Sequence, residues 1–232
     1  MLTGRPLVAS LARIPFFSGL DAAALERVAA GTRTRRFRRG EVIFHAGDPG
    51  DALFVIVSGE VKIAVPSESG EEAILTTLHE GDVFGELALL DGAPRSATAA
   101  ALVNTETVVL PRDRFRELVA TEPVIRDALL ASLAGELRRL TTHVEELHFL
   151  DTTGRLAARL VRLAAESGPP DDRGAIHLRA SLTQAELASM VGCTRQSVNK
   201  LLGQFSDAGL VRLDRDGIAV TDLAGLVSAS RR

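Results

Sequence analysis

Fifteen residues, Phe84-Gly85-Glu86-Leu87-Ala88-Leu89-Leu90 through Pro94-Arg95-Ser96-Ala97-Thr98, set a glycine turn, a carboxylate and an arginine close together in the chain. Amides presented by the Gly85-Glu86-Leu87-Ala88 turn can cradle a phosphate, as oriented N–H groups do in nests and at helix starts. The Glu86 carboxylate can accept from a ribose hydroxyl, as the acidic residue of dinucleotide folds does. The Arg95 guanidinium can form a bidentate, charge-assisted pair with a phosphate. One charged small molecule could use all of these groups. A lone Gly-Glu pair would be read more simply, as a helical turn followed by a surface arginine.

A second set of chemical residues lies near the other end. Thr183-Gln184-Ala185-Glu186 has the form of a capping box, with Leu182 and Leu187 as its hydrophobic staple. The helix it starts ends at Gly192, which suits a left-handed position. Thr194 then caps a second helix, Arg195 to Phe205, closed by Gly209. Helix, glycine-containing turn, helix is the pattern of a helix-turn-helix. Arg195, Gln196, Ser197, Asn199 and Lys200 fall near the start of the second helix, where such helices contact base edges and phosphates. Leu210-Val211-Arg212-Leu213 and Gly217-Ile218-Ala219-Val220, joined through Asp214-Arg215-Asp216-Gly217, form a hairpin wing. Pairs of short helices with these features also occur in proteins that never touch DNA.

Other elements must hold these groups in place. Leu20 to Ala30 carries apolar residues at helical spacing, with Asp21 in a first-turn position. Beyond it, turn signals recur at Arg39-Gly40, Gly47-Asp48-Pro49-Gly50, Ser58-Gly59-Glu60, Ser69-Gly70 and Glu80-Gly81-Asp82. Between them Leu53–Val57 and Val61–Val65 are rich in β-formers, and Ala99 to Leu110 adds further strand, stopped by Pro111. Short strands at such intervals predict an all-β roll or barrel. Arg33-Thr34-Arg35-Arg36-Phe37-Arg38-Arg39 could serve as a nucleic-acid patch, but a solvated strand face accounts for it more simply. From Val124 the period becomes helical. Leu130, Leu133, Leu137, Leu140, Val144 and Leu147 repeat at alternating three- and four-residue steps, a heptad seam that predicts a dimer. Gly135 falls on the outer face of that helix. Asp151-Thr152-Thr153-Gly154 interrupts the seam and caps a further helix running to Glu166.

Composition bounds the function classes. The 232 residues are 46% hydrophobic and 25% charged, values of a globular protein with room for more than one domain. No apolar run approaches a membrane span, and Met1-Leu2-Thr3-Gly4-Arg5 has no apolar stretch behind it, so neither membrane partner nor signal peptide is expected. The single Cys193 excludes an intrachain disulfide and accords with a reducing, cytoplasmic location. His45, His79, His143, His148 and His177 are scattered without metal-ligand spacing, so no metal is expected. No nucleophile–base pair or P-loop points to an enzyme. Net charge is −3 overall, yet residues 151–232 hold 11 Lys/Arg against 9 Asp/Glu, a net of +2, while residues 1–150 hold 16 against 21, a net of −5. A basic C-terminal end is compatible with nucleic-acid binding.

The Phe84–Thr98 stretch resembles the phosphate-binding cassette of cyclic-nucleotide-binding domains, FGE-(L/I)-(A/S/G) followed after a spacer by R-(S/T)-A. Together with Phe149-Leu150-Asp151-Thr152-Thr153-Gly154-Arg155 and Leu182–Leu202, it makes nearly the whole chain similar to the Crp/Fnr family of bacterial transcription regulators. The resemblance implies an α+β fold in three parts. These are a cyclic-nucleotide-binding β-roll over 1–120, a long dimerisation helix over 121–150 and a winged helix-turn-helix over 151–232. It implies backbone donors at Gly85, Leu87 and Ala88, ribose contact at Glu86 and a phosphate clamp from Arg95 and Ser96. The effector implied is a cyclic nucleotide, cyclic AMP first, with cyclic GMP as the other choice. Implied partners are a second copy of the chain, palindromic double-stranded DNA read through Thr183, Thr194, Arg195, Gln196, Ser197, Asn199 and Lys200, and RNA polymerase. Two departures stand out. The polar pair that contacts the base in the family falls on Leu140 and Thr141, leaving Thr141 and Thr142 as the base-contact candidates, unless they bond their own helix carbonyls or face water. Gln196 replaces an acidic residue of the family's best-known branch, which implies a different operator. Rival readings are a same-fold regulator with another effector or none, and a nucleotide-binding subunit that docks protein instead of DNA.

Overall fold

The computed structural model describes residues 5–67, 72–178, 182–214 and 217–231. The Ser69-Gly70 turn, the Arg215-Asp216 hairpin tip and the first four residues lie outside the described residues. The chain divides into two compact units, residues 1–137 and 138–232, and the division falls within one long helix.

Two four-stranded antiparallel sheets form the body of the first unit. One has the order β1 (Arg33–Phe37), β8 (Thr105–Pro111), β3 (Ala52–Ser58), β6 (Val83–Phe84). The other runs β2 (Val42–Phe44), β7 (Thr98–Ala101), β4 (Val61–Pro66), β5 (Glu72–Leu78). Strand side chains alternate between faces, so β3 sends Phe54 and Ile56 into the apolar layer shared with the second sheet, beside Val61, Phe84 and Ala99. Leu53 and Val55 go the other way, into a layer with Leu11, Phe17, Phe115 and Ile125 from the helices. Both faces are covered, and for that reason Leu53–Val57 reads as a continuous apolar run. The Arg33–Arg39 run behaves as a solvated face, with only Phe37 of β1 buried.

Helices cover one sheet: α1 (Arg5–Leu11), α2 (Ala22–Ala30), the short α3 (Leu87–Asp91), α4 (Arg112–Thr121) and the first turns of the long α5 (Pro123–Phe149). Asp21 is the N-cap of α2 and not a first-turn residue, since its Oδ1 accepts from the Ala24 amide at 2.7 Å. The Ala99–Leu110 stretch forms two strands in different sheets. Its break falls where the single Thr105 Oγ1 proton faces the Val103 carbonyl at 2.9 Å and the Glu60 carbonyl at 3.1 Å. Neither α1 nor α4 was legible in the sequence pattern, because Leu7 with Leu11, and Phe115 with Leu118, provide too few apolar repeats to mark a period.

On α5, Ile125 and Leu129 are buried in the first unit, whereas Leu130, Leu137, Leu140, Val144 and Leu147 are 41–66% exposed. Leu133 departs from that outward stripe and packs partly against the core of the first unit.

After the C-terminal part of α5, the second unit continues with Asp151, whose Oδ1 accepts from the Gly154 amide at 2.7 Å to cap α6 (Thr152–Glu166). It continues through β9 (Ile176–His177), α7 (Gln184–Val191), α8 (Arg195–Asp207), β10 (Val211–Asp214), β11 (Gly217–Val220) and α9 (Leu223–Ala229). Leu156, Leu160, Leu187, Val198, Leu202 and Leu226 form its buried interior. The wing hairpin pairs Val211 with Val220 and Asp214 with Gly217. β9 adds a third strand on β11 that the hairpin reading did not include.

Candidate functional site

The cassette begins where β6 ends. Gly85 takes φ +84°, a left-handed conformation that side chains rarely adopt, and a Cβ there would sit 2.5 Å from Arg95 Nη1. That missing side chain lets Arg95 Nη1 donate to the Gly85 carbonyl at 2.6 Å. Nη2 donates to the Ala52 carbonyl at 2.8 Å and lies 3.6 Å from Asp51 Oδ1. The guanidinium carbon stacks 4.2 Å from the centre of the Phe44 ring. Its backbone is equally tied, with the Arg95 amide donating to the Asp48 carbonyl and the Gly47 amide to the Arg95 carbonyl, both at 2.8 Å. Arg95 is only 4% exposed, and its buried Nε has no hydrogen-bond partner. A guanidinium carries five N–H donors, so this one keeps donor capacity for an anion.

Glu86 precedes α3 with helical backbone angles, and its carboxylate caps nothing. It is 8% exposed. Burial pushes its carboxyl up to about 7, while its own amide and the Arg95 guanidinium act to lower it and Glu136 of α5 adds to the rise. Ala88 is buried, whereas Leu87 and Ser96 are exposed. The cassette therefore gathers Gly85, Glu86, Ala88 and Arg95 tightly, with Ser96 at the rim. Thr141 and Thr142 lie exposed on α5, within the second unit. Thr98, the last residue of the motif, has a structural task, its Oγ1 accepting from the Ala46 amide at 3.0 Å. Motif reasoning missed Ala52, Asp51 and Phe44 as partners of Arg95. Nothing in their local sequence marks them.

The second unit forms the helix-turn-helix as capped. Thr183 Oγ1 accepts from the Glu186 amide at 3.2 Å, and Glu186 Oε2 accepts from the Thr183 amide at 2.7 Å. Gly192 takes the left-handed conformation, and its amide donates to the Ala188 carbonyl at 2.9 Å. Thr194 Oγ1 accepts from the Ser197 amide at 3.1 Å. α8 runs two residues past Phe205 before Gly209 closes it. Val198, Leu202 and Phe205 face inward, leaving Arg195, Gln196, Asn199 and Lys200 on one exposed face. Among them, Asn199 Nδ2 donates to Gln184 Oε1 on α7 at 3.1 Å. Thr183, Thr194 and Ser197 are occupied by capping bonds. The side chains of Arg195, Gln196 and Lys200 have no hydrogen bond or ion pair among the described residues, so their polar groups stand open to a partner. Arg155, in the conspicuous Phe149–Arg155 stretch, secures the motif from beneath. Its Nε donates to the Val191 carbonyl at 3.0 Å and its Nη1 to the Leu150 carbonyl at 2.9 Å.

Among the described residues, no group of three His, Cys, Asp or Glu could hold a metal ion. No described helix is long and apolar enough to cross a membrane.

Comparison with known proteins follows the same division. Residues 34–122 match the cyclic nucleotide-binding domain, and residues 154–229 match the Crp-like helix-turn-helix domain. The CRP-like cAMP-activated global transcriptional regulator of Mycobacterium tuberculosis is 36% identical over 221 residues, covering 95% of this chain and 98% of that protein. The cyclic AMP receptor protein of Thermus thermophilus is 30% identical, covering 90% and 94%. Among solved structures, the c-di-GMP-responsive global regulator CLP of Xanthomonas campestris superposes with a TM-score of 0.76 at 26% identity, covering 86% of this chain and 99% of that one.

The state of Glu86 carries a measurable consequence. An acid whose folded pKa is raised contributes stability that is complete below its ordinary value of 4.5 and is lost as pH rises through about 7. The stability of the ligand-free protein relative to Glu86→Gln is therefore expected to fall by about 2–3 kcal/mol between pH 5 and pH 8. Urea denaturation of both proteins at the two pH values checks this. A difference independent of pH would mean that Glu86 titrates as a solvated carboxylate.

Proposed function

This chain belongs to the Crp/Fnr family of transcription regulators, with a cyclic-nucleotide-binding domain followed by a Crp-like helix-turn-helix domain, and on that premise we propose that a cyclic nucleotide controls its binding to DNA. The observation that carries this reading is the burial of Glu86 and Arg95 in one cassette, with the Arg95 guanidinium retaining a buried donor without a partner. Arg95, with Ser96 at the rim, would take the cyclic phosphate alongside the Gly85, Leu87 and Ala88 amides. Glu86 would accept from the ribose 2′-hydroxyl. Cyclic AMP is the first choice of effector, since two relatives spanning nearly the whole chain are named for it. Thr141 and Thr142 are the candidate base contacts.

The exposed stripe Leu130, Leu137, Leu140, Val144 and Leu147 supports a homodimer joined along α5. Two copies of α8 would then enter successive major grooves of a palindromic operator, about 34 Å apart. The effector would act by favouring one arrangement of the dimer over another. RNA polymerase is the partner expected of such a regulator, and the cytoplasm its location. Thr183, Thr194 and Ser197 would support phosphate contacts from their caps. Arg195, Gln196 and Lys200, with Asn199 held against Gln184, would meet base edges and the adjacent backbone.

A second reading keeps the regulatory role and changes the effector. It is favoured by Leu140, which brings an apolar side chain to a position of expected base contact and is 41% exposed. The solved relative described as c-di-GMP responsive supports it as well. Docking of protein in place of DNA accords less well with the match to a Crp-like helix-turn-helix over 154–229.

Four experiments test this reading. Calorimetric titration with a panel of cyclic nucleotides should give binding that Arg95→Ala weakens by about 2–5 kcal/mol, and unchanged affinity would remove the cassette as the site. Leu137→Glu brings like charges together across the seam and is expected to yield monomers that bind DNA poorly. An intact dimer in sedimentation would refute the seam. Selection from random duplexes with wild type and Gln196→Glu should recover motifs differing at one base pair per half-site, wild type favouring adenine over cytosine there. An identical motif from both proteins would leave base reading to Arg195 and Lys200. Should Arg195 read guanine, Arg195→Ala is expected to cost about 1–3 kcal/mol on the cognate site alone.

A further inference from the structure

Arg112, the first residue of α4, belongs to no motif in the sequence, yet it grips the cassette. Its Nε donates to the Gly50 carbonyl at 3.1 Å, and its Nη2 donates to that same oxygen and to the Ala88 carbonyl, the latter at 3.1 Å. The Arg112 amide donates to the Asp51 carbonyl at 2.8 Å. One turn on, Arg116 Nη2 approaches the Leu89 carbonyl at 3.5 Å.

These contacts meet a specific need. α3 has five residues, too few to hold a helix by its own hydrogen bonds, and the carbonyls near its end lack helical partners. A cation beside those carbonyls also suits the negative end of the helix. Meanwhile the Gly50 backbone presses on α3, since a Cβ on Gly50 would lie 2.3 Å from that of Ala88. The segment held this way is the one that serves Arg95, with the Asp51 carboxylate 3.6 Å from its Nη2 and the Ala52 carbonyl accepting at 2.8 Å. Residues 50–52 are thus gripped by two guanidinium groups, and of these two the Arg112 group also donates to a carbonyl of α3.

We propose that Arg112 is a positioning residue of the effector site, fixing α3 and residues 50–52 so that the Leu87 and Ala88 amides, Glu86 and Arg95 are set before the effector arrives. Arg112 acts through those groups and not by contact with the ligand. The inference rests on the effector site proposed above for its effect on affinity, but its effect on α3 exists without any ligand.

The test uses the full chain carrying Arg112→Met, which keeps the apolar stem and removes the donors, and Arg112→Lys, which keeps one charge. In the ligand-free protein, amide hydrogen exchange at Leu89 and Leu90 should accelerate at least about tenfold in Arg112→Met, while amides of β4 and β5 keep wild-type rates. Cyclic AMP and cyclic GMP, titrated as probes, should bind about tenfold or more weakly, the loss usual when groups supporting a binding site are removed. Arg112→Lys should recover part of both effects. Faster exchange spread evenly over the first unit, or exchange and affinity both within twofold of wild type, would overturn the proposal. Wild type that binds neither probe would count against the effector reading, and the exchange rates at Leu89 and Leu90 would then decide the role of Arg112.

Discussion

A guanidinium buried in the first unit imposes the strictest condition on this structure. Taking a charge out of water is costly unless hydrogen bonds and opposite charge replace the lost hydration. Arg95, 4% exposed, meets that condition with the Gly85 and Ala52 carbonyls, the Asp51 carboxylate and the face of Phe44. Each partner constrains its own element. Gly85 must lack a side chain, β3 must begin at Ala52 with its carbonyl turned inward, and Phe44 must close β2 against Phe54 and Phe84. The cassette is therefore continuous with the layer between the two sheets.

The same burial sets the character of the carboxylate. Glu86 shares the sheltered region with Arg95, but desolvation outweighs the attraction, so its proton is held up to about 7. A carboxyl that titrates near neutrality changes between acceptor and donor with little cost, which suits a group meeting a hydroxyl. Arg112 supplies the second cation, spent on backbone carbonyls of Gly50 and Ala88.

The second unit treats charge in the opposite way. Arg195, Gln196 and Lys200 are exposed and uncommitted, while the neighbouring Thr183, Thr194 and Ser197 are consumed by caps that fix where α7 and α8 begin. A small ligand is best met by few buried groups in preset geometry, whereas a polyanion is met by solvated groups on a firm helix. Rigidity there comes from Val198, Leu202 and Phe205 on the inner face of α8, and from Arg155 beneath the turn.

What the sequence by itself determined was local. Asp151, Thr183, Thr194 and Gly192 act within three or four residues of themselves, so each cap and turn could be read from its neighbours. The heptad stripe on α5 was legible for the same reason, since period alone places Leu130, Leu137 and Val144 on one face. The cassette stood out through its resemblance to that of cyclic-nucleotide-binding domains, whose model matches residues 34–122. Only the tertiary structure decided what holds them. Arg95 finds Ala52 43 positions away, and Arg112 finds Gly50 across 62. It also sent the two strands of Ala99–Leu110 into different sheets, and drew Leu133 from the outward stripe onto the core of the first unit. These outcomes depend on which surfaces meet after the chain has closed on itself. A backbone carbonyl carries no residue-type signal, so the partners that make a buried arginine tolerable become visible only once the fold has brought them together.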